Sequence, residues 1–111
     1  MREGGIALAA LPQADRSVKN RPVVLLRQMP PFSDWLVCGI STQLHQRVPD
    51  FDELVDASNA DFPTSGLKAS SVVRLGFLAV LPETDLLGTI GWISRERHRR
   101  LLDRLRRHLR E

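Results

Sequence analysis

Arg21-Pro22-Val23-Val24-Leu25-Leu26 is the stretch on which the reading of this chain turns. The four apolar residues after Pro22 read as a buried strand. Pro22 fixes its own φ and pushes Arg21 toward an extended conformation. With Lys19-Asn20 ahead of it, Arg21 is expected at a rigid loop-to-strand boundary. A guanidinium keeps its proton under ordinary conditions, so an arginine held in this way points to a held anion.

The rest of the composition sets bounds. The chain has 111 residues, 42% hydrophobic and 26% charged, which suits one domain over 1–111 with a modest core. No apolar run approaches the ~20 residues of a membrane span. Glu3 follows Arg2 too closely for a good signal peptide. Cys38 is the single cysteine, so no intrachain disulfide can form, and a bacterial-type cytoplasm is the expected compartment.

The net charge of +3 hides an asymmetry. Residues 1–94 carry 8 Lys/Arg against 10 Asp/Glu, whereas 95–111 carry 8 Arg against 3 acids. The basic C-terminal segment suits either a solvated helix face or an acidic or polyanionic partner.

Working outward, Ile6 to Ala10 reads as a first strand and Leu11 to Asn20 as a long polar loop. Met29 to Asp34, with Pro30-Pro31, reads as a turn. Trp35 to Ile40 reads as a strand running into Ser41-Thr42, with Trp35 in the core. A short strand is expected at Glu53 to Val55, and a turn or single helical turn at Phe62 to Gly66. Ser71 to Leu75 and Phe77 to Leu81 read as two further runs, and Thr89 to Ile93 as the last short strand. Ser94 is placed as the N-cap of a helix reaching about Leu109, with Glu96 in its first turn. Leu101, Leu105 and Leu109, with Leu102 beside them, form its apolar stripe. Many short strands and one terminal helix give an α+β, mainly β class: a small, partly open barrel or sheet with a helix packed on it.

Taken in order, these pieces resemble the PemK/MazF family of toxins from toxin–antitoxin systems. The resemblance rests on Gly4-Gly5-Ile6, then Arg21-Pro22-Val23-Val24-Leu25, then Ile40-Ser41-Thr42-Gln43. It continues through Gly66-Leu67-Lys68 with Ser71-Val72-Val73-Arg74 and ends at Ile90-Gly91-Trp92-Ile93-Ser94. It implies an SH3-like small β-barrel of the CcdB/Kid/MazF type with a C-terminal helix, assembled as a homodimer. It further implies a metal-independent endoribonuclease that cuts single-stranded RNA through the 2′-hydroxyl and needs no cofactor. The implied protein partner is an antitoxin whose acidic tail blocks the RNA groove, the complex binding DNA. The implied products carry a 2′,3′-cyclic phosphate and a 5′-hydroxyl.

By that resemblance Arg21, Ser41 and Thr42 are the catalytic candidates, and Arg16, Lys19, Gln43, His45 and Arg74 the RNA-binding ones. Arg21 matches the family's catalytic arginine and is physically suited to stabilising phosphorane charge, and secondarily to donating a proton. Ser41 stands where the family has a threonine; it keeps the hydroxyl and loses the methyl that restricts χ1. On an alternating strand only one of Ser41 and Thr42 faces the phosphate. Gly76 stands two positions after Arg74, where some relatives have a polar or acidic group, so the proton acceptor is unassigned and His45 is the substitute to consider. Cys38, His45, His98 and His108 show no metal-ligand spacing. The acidic stretch Asp50 to Asp61 would repel phosphate and is expected away from the site.

Two other readings share these residues. One is a non-catalytic RNA- or protein-binding member of the same fold, including a gyrase-poison-like inhibitor, although Arg110-Glu111 lacks the terminal Trp of that branch. The other is an interaction domain whose arginine helix docks an acidic partner.

Overall fold

The computed structural model describes residues 1–12 and 15–110. Six strands, β1 (Gly5–Pro12), β2 (Val18–Met29), β3 (Asp34–Ser41), β4 (Glu53–Val55), β5 (Ser71–Leu81) and β6 (Leu86–Trp92), form one antiparallel sheet in the order β4-β5-β3-β2-β1-β6. A short helix α1 (Phe62–Ser65) precedes β5, and α2 (Arg95–Arg110) follows β6. No helix among the described residues is long and apolar enough to cross a membrane.

The Val23–Leu26 run explains the layering. All four residues are fully buried. Val24 and Leu26 enter a core with Ile6, Ile40, Val73, Leu75, Leu101 and Leu105, whereas Val23 and Leu25 enter a second core with Ala9, Trp35, Val37 and Leu86. Alternation along one strand thus feeds both faces of the sheet. Register breaks in the β1–β6, β2–β3 and β3–β5 ladders supply the coiling that lets one sheet enclose two cores.

The sheet is open: β4 and β6 lie at its ends without pairing. Their gap is spanned by α1 and α2. The Thr64 hydroxyl donates to the Trp92 carbonyl at 3.2 Å, and the Ser94 N–H donates to Asp61 Oδ2 at 3.0 Å. This approach requires bare backbone at two positions. A Cβ on Gly66, which has φ +74°, would lie 2.2 Å from the Ile90 carbonyl oxygen, and a Cβ on Gly91 would lie 2.2 Å from that of Thr64.

Arg97 binds the ends together. It is 6% exposed, and all five of its N–H groups are used. Nε and Nη2 donate to the two oxygens of Asp61 at 2.8 and 3.0 Å, and Nη2 also donates to Asn59 Oδ1 at 3.1 Å. Nη1 donates to Glu53 Oε1 at 2.9 Å and to the Leu54 carbonyl at 2.8 Å. Arg100 and Arg104 converge on the same Glu53 carboxylate.

Several expectations change. Val18 to Asn20 are strand, not loop, pairing with Pro12, Leu11 and Ala10. Arg21 therefore lies inside β2, opposite Ala9, and not at a loop boundary. Polar residues continue the ribbon because its ladder bonds are backbone bonds. Part of the expected loop, Gln13 and Ala14, lies outside the described residues. The runs at 71–75 and 77–81 are one strand, with partners jumping from Arg74 to Leu78 across the break at Cys38/Gly39. Ser94 does cap α2, its hydroxyl accepting the Arg97 N–H at 3.1 Å. Leu109 is 71% exposed, unlike buried Leu101 and Leu105. A spacing of four drifts about 40° per step, so by the third residue the stripe has rotated off the sheet. Trp35 is core, 2% exposed, with Nε1 donating to Glu83 Oε1 at 3.3 Å.

The hydrogen bonds from Arg97 hold Asp61 down to about 2. Burial works to raise Glu53, but Arg100, Arg104 and Arg97 outweigh it and lower it. Both carboxylates therefore bind fewer protons folded than unfolded, and their stabilisation is lost as pH falls below about 4 toward 2. Urea titrations between pH 8 and 5 are expected to give a flat stability, declining below that range, with a shallower decline in Asp61→Asn. Arg97→Met is expected to cost about 3–5 kcal/mol at pH 7, because it leaves the buried Asp61 carboxylate without its cation, while Glu53 keeps Arg100 and Arg104. A loss below about 1 kcal/mol would show that the clamp is not needed.

Candidate functional site

On its β3 side, β2 is paired only from Val23 onward. A proline without an N–H is tolerated at such an unpaired margin. The segment before Val23, the end of β3 and the break in β5 border a cavity of about 250 Å³. It is lined by Leu11, Arg21, Gly39, Ile40, Ser41, Thr42, Gln43, Gln46, Arg74 and Phe77.

Each polar lining group has a local cause. Ser41 ends β3, and Thr42 has already left the strand in a bend. Strand alternation no longer separates the two, so both line the cavity, contrary to the expectation that only one can face a phosphate. The Gln43 N–H donates to Ser41 Oγ at 3.0 Å. That bond uses an acceptor site on the hydroxyl and leaves its proton available to donate. A single 3-10 turn follows at Leu44–Gln46. Residues three apart eclipse in such a turn, which puts Gln43 and Gln46 on the cavity side together.

Arg74 enters from β5, opposite Gly39. It is half-buried, and its side chain has no ion pair or hydrogen bond among the described residues. Among the described residues the lining contains two guanidiniums and no carboxylate. The acids of the 50–61 stretch lie elsewhere: Asp52 accepts the Val48 and Leu75 N–H groups, and Glu53 and Asp61 are held by α2. Three of the C-terminal arginines, Arg97, Arg100 and Arg104, are thereby committed within the chain.

Of the residues singled out in the sequence, Arg21, Ser41, Thr42, Gln43 and Arg74 meet in this cavity. Lys19 is two residues earlier on β2 and outside the lining, and Arg16, with φ 69°, is exposed in the turn before it. His45 is exposed on the 3-10 turn, outside the lining. Gln46 and Phe77 were not anticipated. Gln46 was legible as the partner three residues from Gln43; Phe77 follows Gly76 in a stretch read only as a further apolar run. The lining offers a metal ion only hydroxyls, amides and backbone, and no cluster of three or more His, Cys, Asp or Glu suited to a metal occurs among the described residues.

The model of PemK-like, MazF-like toxins of type II toxin–antitoxin systems matches residues 2–109. The chain belongs to this family. Solved structures agree: 37 chains match. Among them is the Mycobacterium tuberculosis toxin MazF-mt6, 27% identical, with a TM-score of 0.69 over 96% of each chain. The search of curated proteins found no match. The mainly β fold with a C-terminal helix is thus a PemK/MazF fold, with its sheet left open, and membership in a toxin–antitoxin family implies an antitoxin partner.

In this PemK/MazF chain the departure at Gly76 is sterically free, since a Cβ there would meet nothing within 4 Å. Gly76→Ala is expected to raise stability by about 0.4–1 kcal/mol through the unfolded state, read by urea denaturation. A loss of stability would mean that the break in β5 depends on a bare backbone at this point.

Proposed function

We propose that this chain is a metal-independent endoribonuclease toxin, cutting single-stranded RNA in the cytoplasm as a homodimer and restrained by an antitoxin with an acidic tail. The observation that carries the reading is the half-buried Arg74, which has no acidic partner among the described residues, in one cavity with Arg21, Ser41 and Thr42. No buried side-chain nitrogen among the described residues lacks a partner, so this guanidinium meets water and is open to bidentate contact with a phosphate.

In this reading the 2′-oxygen attacks phosphorus, a cyclic phosphate forms and the 5′-oxygen departs. Arg21 and Arg74 stabilise charge on the phosphorane oxygens. Ser41 and Thr42 donate hydrogen bonds to the same group. Arg21 donates a hydrogen bond to the departing 5′-oxygen, which takes its proton from solvent. The lining holds no carboxylate or imidazole among the described residues, and in this reading solvent takes the 2′ proton.

The test uses purified protein, a chelator and a short RNA. A single 2′-deoxy substitution at the cut site is expected to abolish cleavage. Arg21→Ala and Arg74→Ala are each expected to lower the rate about 10²–10³-fold, and His45→Ala to leave it unchanged. Cleavage that survives the 2′-deoxy substitution would overturn the mechanism, and a large loss in His45→Ala would restore an imidazole base. The missing proton acceptor also favours a second reading, a non-catalytic RNA binder, which predicts tight binding and no product on prolonged incubation.

A further inference from the structure

Phe77 is unexplained by packing. It belongs to neither core cluster and is 42% exposed, yet it lines the cavity that holds the two arginines. Two features of the sheet put it there. The break between β3 and β5 frees residues 75–77 from the ladder, and breaks of this kind re-aim side chains. Gly39 then provides a bare seat: a Cβ on it would lie 3.0 Å from Phe77 Cδ1 and 3.3 Å from Cγ. The ring rests on the Gly39 backbone in the cavity that Arg21 and Arg74 also line. Of the six aromatic residues in the chain, Phe77 is the one in the lining.

The third wall is polar and uncharged. The Gln43 and Gln46 side-chain amides line the cavity and have no hydrogen-bond partner among the described residues. Each amide offers a donor and an acceptor, the pair needed at a base edge. Single-stranded RNA is read in this manner, with a base stacked on an aromatic ring and its edge hydrogen-bonded.

We propose that Phe77, seated on Gly39, is the stacking platform for one RNA base next to the gripped phosphate, with the Gln43 and Gln46 amides reading that base's edge. This rests on the endoribonuclease reading and adds the residues that choose where the RNA is cut. Phe77 gives affinity for any base, because every base has a π-face. The two glutamines discriminate among bases.

The experiment measures binding of a cleaved RNA carrying the blocking 2′-deoxy substitution, together with a series in which each nucleotide in turn is made abasic. Phe77→Leu is expected to weaken binding about 5- to 150-fold. Phe77→Trp is expected to keep binding, with its new indole emission quenched by RNA. Gly39→Ala, which displaces the ring, is expected to weaken binding without changing any group that touches RNA. One abasic position should bring wild type and Phe77→Leu to equal affinity, and at the base of that nucleotide Gln46→Ala should relax the cutting preference. Thermal melts of each variant separate misfolding from lost contact, and if Phe77→Leu does not fold, the quenching in Phe77→Trp decides. Equal binding by wild type and Phe77→Leu, or a loss that no abasic position removes, overturns the platform while leaving the nuclease reading intact. Wild type that neither binds nor cuts RNA overturns the nuclease reading instead.

Discussion

The Arg97 guanidinium is the interaction on which this fold depends. A six-stranded sheet that does not close needs something to join β4 to β6, and Arg97 reaches from the first turn of α2 to Glu53 and the Leu54 carbonyl on β4 and to Asp61 before α1. A buried cation of this kind is tolerable only when fully paired, and five hydrogen bonds for five N–H groups meet that condition. Apolar residues of similar volume would bury as much surface but would not specify which loop meets which helix face. The clamp fixes register more than it adds net stability.

The clamp also shapes the electrostatics of the opposite region. Glu53 and Asp61 are held by α2, and among the described residues the cavity between β2, β3 and β5 has arginine alone as its charged lining. The contrast between Arg97 and Arg74 is instructive. One is buried and saturated; the other is half-buried and has no partner among the described residues. Arg97 is satisfied internally, whereas Arg74 meets water in the cavity, and the proposed function assigns it a phosphate there.

Sequence patterns carried much of this fold. The Val23–Leu26 run, the short Glu53–Val55 strand, the buried Trp35 and the Ser94 cap were each legible because a local rule governs them: continuous burial, β-branching or capping geometry. Other features depend on partners distant in sequence. Val18, Lys19 and Asn20 become strand because β1 lies opposite, and β5 stays one strand across Gly76 because β3 supports both sides of the break. The arginine-rich helix looked like a surface for a partner, but residues 97, 100 and 104 face acids some 40 positions earlier. At the site, Arg21, Ser41, Thr42, Gln43 and Arg74 were recognisable through ordered family resemblance. Phe77 was not, because its exposure arises from a register break that no local pattern announces.

The central claim is that the paired-arginine cavity cuts RNA through its own 2′-hydroxyl. Mass spectrometry of the fragments released by the purified chain in the presence of chelator tests it most directly. The account predicts a 2′,3′-cyclic phosphate on the upstream fragment and a 5′-hydroxyl on the downstream one. A 3′-hydroxyl paired with a 5′-phosphate would contradict it.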